Sequence, residues 1–458
     1  MANSVQSFIN DLTEGSVAKK LLYFAFPFML SNLLQTVYNL VDMAVVGHFM
    51  GSTGLSAVSV GGRLVELLTF FCTGFCTGGQ ILLSQQVGAK QKEGIQKTIG
   101  TLFTFILLCA IVLGTVSIVF HRTLLELLNT PAAAFDQAAS YMVICNSGCL
   151  FIFGYNALCA ILRGMGDSKR PLIFVAIASV INLVLDLLFV AGFHMGAAGA
   201  AIATVISQGV SFISALIYLI IRREAFGFSF SRRSLRMDSG TLKVLSKLGL
   251  PLAFQTAAIS VSMLFVNSFI NAYGEAASAV YGAGVKLQSI PSIITQGMSM
   301  ANASMVGQNM AAGKPDRVRA SVRTCFILNL CVYGVFIVAC LAIPTVIFSL
   351  FTTEAAVLDL APIYLRISCI GFAASIFNAS FNSVINGIGF TSLSMSIGLL
   401  DGVVARISFS LLFGITLNMG LNGFFLGHSL AIWVTALLSL FYYLSGRWER
   451  RKLVVEKS

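Results

Sequence analysis

Residues 27–47 read PFMLSNLLQTVYNLVDMAVVG, an apolar run long enough to cross a bilayer with a single carboxylate, Asp42, near its end. A second run, 171–192, reads PLIFVAIASVINLVLDLLFVAG and holds Asp186 in the same manner. An ionised carboxylate in hydrocarbon costs several kcal/mol or more, so such a residue faces a polar cavity and handles an ion, a proton or a ligand. Both acids lie in the first half of the chain, and the matching positions of the second half hold none.

Working outward, hydrophobic residues make up 57% of the 458 and charged residues 10%, with a mean hydropathy of +0.88. A soluble protein of this size would carry about a quarter charged residues, so the chain reads as an integral membrane protein. Apolar runs of about twenty residues count the spans. They place twelve helices at 20–48, 55–87, 97–120, 136–163, 171–192, 197–222, 246–272, 278–311, 320–343, 357–387, 393–414 and 421–446. The fold class is therefore an all-α polytopic membrane protein. The first run is too long for a signal peptide and no cleavage site follows it, so it is expected to be a retained span.

The net charge of +11 follows topology, not nucleic acid. Of 29 Lys and Arg, 24 fall in the N-terminal segment, alternate loops and the C-terminal segment. That is the positive-inside pattern, and it predicts both termini in the cytoplasm. Ten cysteines all fall inside spans, where single thiols act as small apolar residues, and the scattered histidines suggest no metal centre.

The chain is also a duplication. Pro27 matches Pro251 at an offset of 224, Ser56-Ala-Val matches Ser278-Ala-Val at 222, and Gln85-Gln86 matches Gln308-Asn309 at 223. Gly164-Met-Gly166 matches Gly387-Ile-Gly389 at 223, and both Leu187-Leu-Phe189 and Met195-Gly196 match their second copies at 224. Six spans per copy put the repeats in parallel orientation, which predicts two six-helix lobes around a central cleft. The expected division is an N-lobe at 1–221, a basic cytoplasmic linker at 222–245, a C-lobe at 246–446 and a basic cytoplasmic tail at 447–458.

Taken together, these residues resemble the multidrug and toxic compound extrusion antiporters over the full length of the chain. The likeness rests on Asn39-Leu-Val-Asp42 with Gly47 and Gly51, and on Gln85-x-x-Gly88-Ala89. It rests equally on Leu162-Arg163-Gly164-x-Gly166-Asp167 and Asn182-Leu-Val-Leu-Asp186. Asn182 and Asp186 share a helix face, and Gln35, Tyr38, Asn39 and Asp42 form one polar stripe. Thr204 adds a hydroxyl and Asn156 an amide. The resemblance implies an N-lobe cation site at Asp42, Asn182, Asp186 and Thr204, with Asn156 beside it, and such hard oxygens suit Na⁺ or a proton.

Another branch of the family uses C-lobe carboxylates. Here Gln255, Asn378 and Asn382 stand instead, with Asp42 mapping to Val266 or Asn267, Asp186 to Ser410 and Asn182 to Arg406, so no C-lobe ion site is expected. Asp401 and Arg406 are five apart, which on an ideal α-helix turns them about 140° from each other and sends them to different neighbours. Arg63 and Glu66, three apart, are expected to neutralise one another. Substrate-cleft residues are expected among Tyr38, Asn39, Gln35, Gln255, Lys286, Met298, Asn378 and Arg406.

The function implied is secondary efflux of cationic or amphipathic organic compounds in exchange for Na⁺ or H⁺, by alternating access. The setting implied is a bacterial cytoplasmic membrane, with a monomer whose partners are small molecules and lipid. No cofactor beyond the coupling ion is expected, and no enzyme motif such as HExxH or GxSxG is present. The alternative is a lipid-linked saccharide flippase of the same broad superfamily, for which the embedded basic residues are few.

Overall fold

The computed structural model describes residues 11–223, 228 and 234–456. Glu224, Arg232, Arg233 and Lys457, read above as part of the linker and tail, lie outside them. All regular structure among the described residues is helical.

The first unit contains most of the amino-terminal repeat. Its leading helix, α1 (Val17–Gly88), is 72 residues long, which at about 1.5 Å per residue is several times a hydrocarbon core. It breaks at Gly51, whose φ of 67° and ψ of −160° suit only glycine, and so supplies two spans. Next come α2 (Lys92–Val119), the short α3 (His121–Leu127), α4 (Ala132–Ser147), α5 (Cys149–Gly164), α6 (Lys169–Asp186) and α7 (Gly196–Ile221). The fourth expected span is bent by 49° between α4 and α5. Val205 of α7 packs into that corner, where a Cβ on Gly148 would lie 2.5 Å from its Cγ2.

The second repeat supplies α8 (Ser239–Asn271), α9 (Glu275–Ala311), α10 (Pro315–Ala342), α11 (Pro344–Ser349), α12 (Ala355–Gly387), α13 (Thr391–Leu399), α14 (Arg406–Leu411) and α15 (Gly420–Leu444). The stretch from α13 to Thr416 is one span interrupted by wider π-helical turns at Leu400–Ala405 and Leu412–Thr416. Nine described helices are long and apolar enough to cross a bilayer, and the α4–α5 pair is a tenth. Dividing α1 at Gly51 and adding α9, 37 residues rich in Ser, Gln and Asn, brings the spans to twelve.

α8 starts inside the stretch read as linker. Asp238 precedes it and accepts from the backbone N–H and the hydroxyl of Thr241 at 2.7 and 2.8 Å, which caps the helix. That N–H holds the Asp238 carboxyl below the usual carboxylate range.

Contacts divide the chain into two units whose borders, Met29/Leu30 and Ala253/Phe254, lie 224 residues apart, each two residues beyond a repeat-matched proline. The unit holding Leu30–Ala253 thus includes the leading arm of α8, and the other unit includes Leu12–Met29, the leading arm of α1. Each arm seats on a glycine. A Cβ on Gly74 would lie 2.7 Å from Ala253 Cβ, and one on Gly297 would lie 3.0 Å from Met29 Cα.

The segments just before the two arms are tied down differently. Arg317 donates to the carbonyls of Gly15, Glu14 and Leu12 at 2.8, 3.1 and 3.3 Å, and Lys314 to Thr13 O at 3.0 Å. Gln308 Oε1 accepts from Leu12 N–H at 3.0 Å. Ahead of α8, neutral hydroxyls serve: Thr104 donates to Leu235 O at 2.7 Å and Thr101 accepts from Asp238 N–H at 3.0 Å.

The stretch read as a basic tail folds back in its described part. Trp448 is 1% exposed, stacks on Tyr443 and donates to the Tyr443 carbonyl at 3.0 Å. Arg451 lies over the ring of Phe390 and Glu449 pairs with Arg319.

Candidate functional site

Asp42 is 8% exposed and Asp186 1%, and their carboxyl groups face each other within hydrogen-bonding range. Asn182, one turn before Asp186 on α6, satisfies both ends of its amide there. With the amide turned so that both ends meet complementary partners, its Nδ2 donates to Asp186 Oδ2 at 2.7 Å and its Oδ1 accepts from the Thr204 backbone N–H at 3.2 Å. The Tyr38 hydroxyl, one turn before Asp42 on α1, donates to Thr204 Oγ1 at 3.4 Å. Four of the five residues expected at the ion site, with Tyr38, therefore meet at one point among α1, α6 and α7.

Two features of this cluster define its chemistry. Asp42 Oδ1 and Asp186 Oδ1 are buried and have no hydrogen-bond partner among the described residues. Among the described residues, no basic side chain acts on either carboxyl. Two acids in contact and away from water resist being ionised together. The donors at this point, two carboxylates and the Tyr38 and Thr204 hydroxyls, are hard oxygens of the kind that suits Na⁺ or a proton.

Asn156, the fifth expected ligand, is placed differently: its amide donates to Ile152 O of its own helix at 2.8 Å and makes no hydrogen bond to the acid pair. Tyr141 and Cys145 of α4, one turn apart, lie beside Asp42 and Tyr38 and were not singled out from sequence. Their four-residue spacing was the available signal. Past Asp186 the helix widens into a π-helical turn, Leu187–Gly192, in which Phe193 N–H reaches Leu188 O. Such turns cluster at functional positions.

The remaining residues read from sequence as cleft-lining scatter. Gln35, Asn39 and Lys286 are exposed. Gln255 is half-buried and, through Ser394, joins Asn382: the Ser394 hydroxyl lies 3.4 Å from Gln255 Oε1 and 3.1 Å from Asn382 Oδ1. Asn378 and Asn382 line a polar cavity of about 230 Å³ with Ser292, Thr295, Gln296 and Tyr333. Arg63 and Glu66 form no ion pair with each other, and both are exposed.

Two expectations need correction. Met298 is 2% exposed, packed with Leu21, Phe24 and Ala25 of the α1 arm, because the arm covers the face of α9 that it presents. Arg406 is likewise closed off, 5% exposed, and its guanidinium pairs with Asp401 at 3.1 Å. The 140° separation assumed a regular α-helix. In the π-helical turn Leu400–Ala405 the Arg406 N–H bonds Asp401 O five residues back, which brings the two side chains onto one face.

Twelve spans in two repeats, with paired acids buried in the first, define a membrane transporter of the duplicated type. The family model MatE matches the chain twice, at residues 27–188 and 251–412, and the chain belongs to that family of multidrug and toxic compound extrusion transporters. It is 31% identical over 447 residues to the probable multidrug resistance protein YpnP of Bacillus subtilis, covering 98% of this chain and 99% of that protein. It is 23% identical to the multidrug export protein MepA of Staphylococcus haemolyticus, covering 97% and 96%. Among solved structures, an outward-facing multidrug resistance MATE family transporter superposes with a TM-score of 0.90 at 22% identity, over 97% of this chain and 99% of that one.

Proposed function

We propose that the protein is a secondary efflux transporter that exports drug-like organic compounds, mostly cationic or amphipathic, in exchange for Na⁺ or H⁺. The observation that carries this reading is the Asp42–Asp186 pair with two unpartnered, buried carboxylate oxygens. Binding one cation neutralises charge that the site cannot otherwise shed, so the loaded and empty states favour different helix arrangements. Asn182, Thr204 and Tyr38 orient the acids, and Asn182 ties Asp186 to α7 through Thr204 N–H. The relatives named for multidrug resistance and multidrug export support the substrate class.

The alternative of a saccharide flippase is disfavoured. Arg406, one of few embedded basic residues, is spent on Asp401 and not held ready for a pyrophosphate. The test is efflux of a fluorescent cationic dye from vesicles energised first by a Na⁺ gradient, then by a proton gradient. Efflux under one gradient and not the other identifies the coupling ion, and efflux under neither rejects the scheme.

A further inference from the structure

The second repeat carries its own version of the ion site, and the charge there is reversed. With the offset of 224 that holds from Leu187 through Gly196, Tyr38 maps to Ser262, Asp42 to Val266, Asn182 to Arg406, Asp186 to Ser410 and Thr204 to His428. The packing of the second unit bears out that register. A Cβ on Gly402 would lie 2.8 Å from Ile259 Cγ1, and Gly398 one turn earlier meets Gln255. One turn further along both helices come Ser262 and Arg406, then Val266 and Ser410.

Every polar member of this set is buried: Ser262 at 2%, Arg406 at 5%, Ser410 at 1% and His428 at 7% exposure. At its centre the Arg406 guanidinium bonds Asp401 Oδ1 at 3.1 Å, while Thr435 donates to Asp401 Oδ2 at 2.9 Å. His428 lies near the guanidinium, with Nδ1 3.4 Å from the Tyr281 hydroxyl. The geometry is made possible by one added residue. The repeat offset is 223 at Gly164/Gly387 and 224 at Leu187/Leu411, and the turn Leu400–Ala405 between them is π-helical. In the first repeat the corresponding stretch, 176–181, is ordinary α-helix. That one residue moves Asp401 onto the face of Arg406.

We propose that Arg406 is a tethered stand-in for the transported cation, fixed at the second-repeat counterpart of the ion site and neutralised by Asp401, so that this repeat stays permanently loaded. Coupling is thereby confined to the first repeat. The inference rests on the reading of Asp42 and Asp186 as the coupling pair, and Arg406 and Asp401 take no part in binding substrate.

The experiment uses the purified full-length protein with Asp42→Asn and Asp186→Asn as background. Binding of ²²Na⁺ and uptake of protons from weakly buffered solution are both counted per chain. The background should bind no cation, and if it binds as wild type does, the reading of the first-repeat site fails and not this inference. Adding Arg406→Gln strips Asp401 of its internal partner, and one Na⁺ or one proton per chain should then be gained. Adding Asp401→Asn as well should abolish that gain. A folded Arg406→Gln chain that gains neither cation overturns the proposal.

Should the singly substituted chain not fold, the neutral pair Asp401→Asn/Arg406→Gln in the otherwise native protein still decides. It should keep wild-type efflux, with the same cation dependence and Hill coefficient. Loss of transport, or a shift in cation stoichiometry, in a folded double variant would show that Arg406 acts in the cycle and would overturn the proposal.

Discussion

The α1–α6–α7 corner of the first repeat and the α8–α14–α15 corner of the second are built on matching sequence positions, yet they manage charge in opposite ways. In the first, two acids touch with no basic partner and leave buried oxygens open. In the second, an arginine and an aspartate close on each other, with Thr435 completing the set. On the function proposed above, the corner missing a charge takes one from outside and so changes state during a cycle. A corner that brings both charges in its own chain has no such dependence, and on that reading the duplication has separated a moving part from a fixed one.

The largest effect expected from perturbing this contrast is on transport. Asp186→Asn or Asp42→Asn should reduce gradient-driven dye efflux to the level of protein-free vesicles at unchanged expression, whereas Ser410→Ala, at the matching second-repeat position, should leave it near wild type.

Thermal stability should respond with opposite signs in the two corners. Asp401→Asn leaves Arg406 buried without its counter-charge and should cost about 3–5 kcal/mol, seen as a lower melting temperature in detergent. Asp42→Asn relieves contact between like charges and should hold or raise the melting temperature in the absence of Na⁺ at neutral pH. A fall in both variants would mean that the two clusters are held together by the same means.

The leading arms extend the comparison on a smaller scale. Arg317→Ala removes charged hydrogen bonds to three backbone carbonyls, a loss of about 1.5–3 kcal/mol each at most and less at an exposed site. Amide exchange should quicken in residues 12–20 and stay unchanged in 239–253. The smallest effect is at the cap of α8, where Asp238→Ala should cost about 1 kcal/mol. Because the Asp238 carboxyl is held below its ordinary range, its contribution is complete above the unfolded-state pKa. It is lost as pH falls through the lower folded value.

Much of this was legible in the sequence, for a physical reason: a carboxylate in an apolar run is costly enough to be conspicuous, and Asn182 and Asp186 at four-residue spacing announce a shared face. The duplication was equally plain from Pro27/Pro251 and Gly164/Gly387. What escaped depends on departures from the regular helix. The Asp401–Arg406 pair was misjudged because five residues span a full turn only when the helix widens, and nothing in LDGVVA declares that widening. The bend at Gly148 and the closing of Met298 under the α1 arm are tertiary effects. Tyr141 and Cys145 looked like ordinary apolar-face residues, and the charges of 447–452 hid Trp448, which is buried and helps to anchor the carboxy-terminal segment.

The placement of residues 12–29 with the second unit bears on how the molecule is made. The glycine this arm seats on, Gly297, and the residues that grip its leading end, Gln308, Lys314 and Arg317, follow it in the chain by some three hundred residues. The leading arm of α1 therefore lacks the surface it packs on until α9 and α10 have been made. The packing of this arm is thus completed only once the second repeat has been made.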